Sequence, residues 1–212
     1  MSDWLIAQCS DPVAGETECG DIVAGVPRSV AAGEPPAMWL VVIDGLGHGA
    51  PAALAARLAL ACVQADAVAP GADGDPQRLL RQLNTALVGT RGAAIGLVHL
   101  QAGRLRHAGV GNTRALRWRD GQALRLPSHY GIVGDLGGTP QPPAHTPAET
   151  PLDLLAGDWL LLFTDGLDER LQLPVMLPEW RRAPLLLCQH LMQRWRAPRD
   201  DAAVLACQVL AP

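Results

Sequence analysis

Residues 39–49 read WLVVIDGLGHG. Five apolar residues rich in β-branching stop at Asp44-Gly45, the pattern of a buried strand that ends on a carboxylate, and glycine there lets backbone and ligand approach closely. After the glycines the periodicity changes: Ala52, Leu54, Leu58, Leu60 and Ala61 fit one packed face of a helix. The same figure recurs at residues 159–167, WLLLFTDGL, where a second apolar run stops at Asp165-Gly166. A third aspartate, Asp200 in RDDAAVL, stands just before a short apolar run. Three carboxylates within about 4 Å of one another repel by roughly 4 kcal/mol per pair at an effective dielectric of about 20, so such a gathering needs protons or cations. A hard divalent metal is the simplest partner.

Further elements follow from pattern. Strands are predicted over residues 4–9, 19–26 and 39–43, and helices over 50–69 and 76–87, the second with Asp75 as N-cap and Pro76 at its first position. Residues 93–100 and 104–110 form a hairpin across QAGR, and 115–118 and 123–126 another across RDGQ. The stretch 127–151, dense in glycine and proline, reads as an irregular flap. A strand over 159–164, a helix over 178–195 and a closing strand over 202–210 complete the chain. This order suits an α+β domain spanning residues 1–212, with two packed antiparallel sheets flanked by helices.

Composition narrows the function. The 212 residues are 49% hydrophobic, enough for a sizeable core, and the formal net charge is −4. The 17 basic residues are scattered, which argues against nucleic acid as a ligand. All are arginine. Phosphate recognition by guanidinium groups is one reading, and GC-rich codon usage is the simpler one. Five cysteines without a CxxC suit a reducing compartment, so a cytoplasmic protein is expected. The start of the chain lacks a basic n-region, and the apolar stretch 50–69 is interrupted by Arg57, Gln64 and Asp66, so neither a signal peptide nor a membrane span is expected.

The motifs DGLGHG, GVGNTR, FTDGL and DDAAVL, in that order between Glu18 and Val209, resemble the signature set of the metal-dependent serine/threonine phosphatases, the type-2C superfamily. Its short bacterial branch, which includes RsbX, RsbU and SpoIIE, is the most similar. The resemblance implies a four-layer α-β-β-α sandwich with the site at one edge between the sheets. It also implies hydrolysis of phosphoserine or phosphothreonine by water activated between two Mn²⁺ or Mg²⁺ ions. The phosphorylated substrate would be a protein of a bacterial partner-switching pathway, such as a STAS-domain anti-anti-sigma factor or a stressosome component. A catalytically weak, phosphatase-like protein that sequesters a signalling partner is the alternative.

By the same resemblance, Asp44 bridges the two ions, assisted by the carbonyl of Gly45, and Asp165 and Asp200 each hold one. Asp201 is the adjacent candidate to Asp200. Asp21 in TECGD resembles an aspartate that reaches a metal through water, although a strand-end surface aspartate competes with that role. Many relatives have Gly-Asp-Ser-Arg where this chain has Gly111-Asn112-Thr113-Arg114. The neutral amide of Asn112 is a poorer ligand for a hard cation, so a third ion is not expected to bind as in those relatives. His48 lies two positions later than the histidine of longer relatives; it is a candidate general acid, or else it orders the helix start. Asp168 and Glu169 are expected to cap the following helix.

Overall fold

Strand β3 (Ala37–Gly45) is buried along nearly its whole length, and its side chains alternate between two different cores. Trp39, Val41 and Ile43 meet Ala56, Ala59, Val63, Leu79 and Leu83 of two helices. Leu40 and Val42 point the other way, toward Leu160, Leu162 and Leu205 of another sheet. The two-residue period of a strand, with both faces covered, therefore sets the order of layers around it.

The computed structural model describes residues 3–134, 151–171 and 183–210. One sheet joins β2 (Asp21–Arg28), β3, β4 (Ala93–Gln101), β5 (Arg104–Val110) and the two-residue β8 (Leu152–Asp153), in that order. The other runs β1 (Trp4–Asp11), β10 (Ala202–Val209), β9 (Trp159–Phe163), β6 (Arg114–Arg119), β7 (Gln122–Leu126). The pairings between these strands are antiparallel. Helices α1 (Ala50–Val68) and α2 (Pro76–Ala86) cover the first sheet; α3 (Pro184–Trp195) covers the outer face of the second, where Leu187 and Leu191 meet Trp159, Leu161 and Phe163. Burying each such side chain contributes about 1.5–3 kcal/mol. The result is the expected α-β-β-α sandwich.

Helix α1 starts at Gly49, whose φ of 71° is left-handed, and Pro51 sits in its first turn. By length and composition it is apolar enough to cross a membrane. Here Ala52, Ala55, Ala56, Ala59 and Val63 are fully buried within the fold. Its buried Asp66 accepts from the Trp39 indole at 3.1 Å and pairs with Arg78 of α2 at 2.6 Å, tying both helices to the sheet. Helix α2 begins as expected, with the Asp75 side chain accepting from Gln77 N. Helix α3 starts at Pro184; the earlier part of the expected helix, residues 178–182, lies outside the described residues, as does 135–150 of the expected flap. Asp168 does not cap a helix. It accepts from the Arg170 amide and guanidinium and closes a turn.

Candidate metal and active site

Strand register brings the acids together. Asp21, first residue of β2, is the direct partner of Asp44 near the end of β3. On the second sheet, Phe163 pairs with Val204 at the ends of β9 and β10, which places Asp165 beyond one strand and Asp200 before the other. Both sheets open at the same edge.

Close backbone approach holds this edge tight. A Cβ on Gly45 would stand 2.3 Å from the Ala52 carbonyl oxygen, and one on Gly166 would stand 1.8 Å from the Asp201 carbonyl oxygen. Each Asp-Gly pair thus spends its glycine on packing, the first against α1 and the second against the strand of the opposite motif. Gly45 N also donates to Gly20 O, joining the segment before β2 to the end of β3.

Charge is concentrated here. Burial pushes the Asp21 carboxyl up to about 7; a hydrogen bond from Thr164 opposes the shift, and the neighbouring Asp201, Asp200 and Asp165 reinforce it. Asp44 is pushed up to about 8, first by burial, then by Asp21, Asp165 and Asp200, and by a hydrogen bond with Asp165. Asp200 is raised by burial and by Asp165. Five carboxyl groups, Asp201 among them, therefore feel one another, and protons hold the cluster where cations are absent.

Asp200 and Asp201 separate cleanly. Asp201 is 1% exposed and accepts from Val13 N and Gly20 N, both at 2.7 Å, so its carboxylate is spent on tying the loop before β2 to the start of β10. Asp200 is half-buried and faces Asp165 and His48. Asp200 is the member of the pair turned toward the other acids.

His48 is at the rim. Its side chain is 63% exposed and its Nδ1 lies 2.8 Å from Glu16 Oε1. Glu16 carries no motif and sits in a loop before β2, so only the folded chain shows the pair. Asn112 also approaches the cluster, donating from Nδ2 to Asp165 Oδ2 at 2.5 Å. Arg114, in the same GNTR turn, holds the Asn112 carbonyl and pairs with Glu169 at 3.0 Å. Arg91 brings a guanidinium against the glycine loop: its Nη1 would lie 2.6 Å from a Cβ on Gly47.

The donor set is all oxygen, carboxylates with an amide and backbone carbonyls nearby, which suits hard divalent cations rather than zinc or copper. Two acids sharing a hydrogen bond at the edge of a buried strand are the arrangement in which a cation can replace protons. The acids gather without closing. Among the described residues no three histidine, cysteine, aspartate or glutamate side chains stand as a ready-made metal-holding group.

The family model of Stage II sporulation protein E (SpoIIE) matches residues 34–210, which includes β3 with Asp44 and β10 with its preceding acids. The chain belongs to the SpoIIE family. A chain described with the bacterial stressosome, a modular system adapted to control secondary messenger signalling, superposes with a TM-score of 0.73 at 21% identity, covering 98% of this chain and 100% of that one. RsbX in complex with magnesium gives a TM-score of 0.68 at 19% identity, covering 97% and 95%. The catalytic domain of the serine/threonine protein phosphatase PstP with two manganese ions gives 0.66 at 22% identity, covering 98% of each chain. At these identities the superpositions speak for the fold. No curated sequence matches the chain significantly.

Proposed function

We propose that this protein is a single-domain, cytoplasmic phosphatase that hydrolyses phosphoserine or phosphothreonine on a protein substrate of a bacterial partner-switching or stress-response pathway. The observation that carries the proposal is the meeting of Asp21, Asp44, Asp165 and Asp200 at one edge between the sheets, with Asp21 and Asp44 pushed up to about 7 and 8. Membership of the SpoIIE family supports it, as does the similarity to RsbX with magnesium and PstP with two manganese ions.

Asp44 with the Gly45 carbonyl, Asp165 and Asp200 would hold two Mn²⁺ or Mg²⁺ ions, with Asp21 acting through water. Bound there, such cations would supply a lowered pKa of water and positive charge against the phosphoryl group. The chain itself supplies orientation: Asn112 fixes one oxygen of Asp165, and Glu16 fixes the His48 ring at the rim. His48, exposed beside Asp200, would give a proton to the departing serine or threonine oxygen. Arg91 is placed to meet a phosphoryl oxygen above the glycine loop. The four acids and the polar rim are what a hydrolase needs and what a passive binding protein can lose. Phosphate release from a phosphoserine peptide, dependent on Mn²⁺ or Mg²⁺ and lost in Asp44→Asn, tests the proposal; equal release in excess chelator contradicts it.

A further inference from the structure

The far end of the first sheet holds a second polar site. Asp21 opens β2 and Arg28 closes it, so this end lies about 23 Å from the acids at a strand rise of about 3.3 Å per residue. Pairing aligns Arg28 with Ala37, Ala37 with Gln101, Gln101 with Arg104, and His99 with Arg106. A cavity of 590 Å³ opens there, lined by Arg28, Asp73, His99, Gln101, Arg104 and Arg106 among others. Its size is that of a small-molecule site.

Three arginines line it, and among the described residues their acidic partners are few. Arg28 meets the His99 ring nitrogen Nε2 at 2.9 Å and donates to the Ala72 carbonyl, while its buried Nε has no partner among the described residues. A guanidinium only donates, so His99 accepts and is neutral; burial first, then Arg106 and Arg28, hold it down at about 3. Arg106 donates to the carbonyl of Asp73 at 2.6 Å, an uncharged acceptor. Arg104 reaches Asp153 only at 3.8 Å, with both side chains largely exposed, a pair of little worth. The acid on the wall, Asp73, is already engaged by Arg78 Nε at 3.0 Å and by Asp75 N. The other, Glu34, is exposed and among the described residues accepts only from Ala31 N, at 3.4 Å. Arginine forks in this number match the several acceptor oxygens of a tetrahedral dianion.

We propose that this cavity binds a phosphate group, free or carried by a small molecule, through Arg28, Arg104 and Arg106. The site is independent of the acid cluster at the opposite edge. Calorimetric titration of the full chain in chelator, at constant ionic strength, with inorganic phosphate and with glycerol 2-phosphate tests it. Chelator keeps the acid cluster free of cations and so unable to attract phosphate. Saturable binding is expected, unchanged in Asp44→Asn and weakened at least about tenfold in Arg104→Gln, as loss of one charge-assisted contact implies. Arg106 also holds the Asp73 carbonyl, so the exposed Arg104 supplies the variant that keeps the fold, checked by its melting curve. Binding of phosphate but not the ester assigns the site to the free ion; binding of both admits a carried group. Absence of saturable heat with either anion, or binding lost in Asp44→Asn and kept in Arg104→Gln, overturns the proposal.

Discussion

Asp200 and Asp201 share a peptide bond and do opposite work: Asp201 is buried with two backbone amides on its oxygens, whereas Asp200 is half-exposed and faces Asp165. Loss of the two side chains should therefore be felt in different measurements. Asp201→Ala leaves the amides of Val13 and Gly20 without their acceptor, at about 1–3 kcal/mol each. At about 2–4 °C per kcal/mol for a chain of this size, a clear fall in Tm is expected. Asp200→Asn should keep or raise the Tm and remove metal-dependent turnover. Thermal melts beside phosphatase assays of both variants check this; equal melting curves contradict it.

The sign of the pH dependence follows from Asp21 and Asp44, whose folded pKa values of about 7 and about 8 lie above the ordinary 3.8. Between 3.8 and about 8 the folded chain binds more protons than the unfolded one, so the stability these groups give in chelator is full at low pH and is lost as pH rises through their folded values. Saturating Mn²⁺ should flatten or reverse this slope, because cations then take the place of protons. Melting curves across that range, with and without the ion, measure it.

Gly45 and Gly166 are fixed by packing. Gly45→Ala puts a methyl 2.3 Å from the Ala52 carbonyl oxygen, and Gly166→Ala puts one 1.8 Å from that of Asp201, where backbone must move. Overpacking of this kind costs about 1–3 kcal/mol or more. Both variants should melt lower than wild type and lose activity together with fold, unlike Asp200→Asn.

Asn112 orients Asp165 through a single amide hydrogen bond. Asn112→Ala should lower metal affinity or turnover about 10- to 100-fold, the range seen for partners of metal-holding side chains. Asn112→Asp should replace a donor with a further carboxylate, lower the Tm in chelator, and raise the number of Mn²⁺ ions bound in calorimetry.

The layer order was legible because β3 and β9 are apolar on both faces, which only a strand covered on both sides can be, and because the Asp-Gly endings mark where each strand stops. The hairpins followed from turn glycines, and Asp75 was legible as a cap. Other features depend on tertiary placement. Glu16 reaches His48 across a loop, Asp201 is distinguished from Asp200 only by which backbone amides meet it, and Asp66 in an otherwise apolar helix acquires its reason from Trp39 and Arg78. Asp168 resembled a helix cap in sequence, yet it closes a turn with Arg170 because α3 begins well downstream. The arginines at the far end of the first sheet are separate in sequence and come together only through strand register.

The most direct measurement is phosphate release from a phosphoserine peptide as Mn²⁺ is titrated into the chelator-treated protein, with Asp44→Asn in parallel. The acid cluster predicts no release without the ion, a rise that saturates as it binds, and none in Asp44→Asn. Release that is independent of the cation, or undiminished in Asp44→Asn, would contradict the central claim.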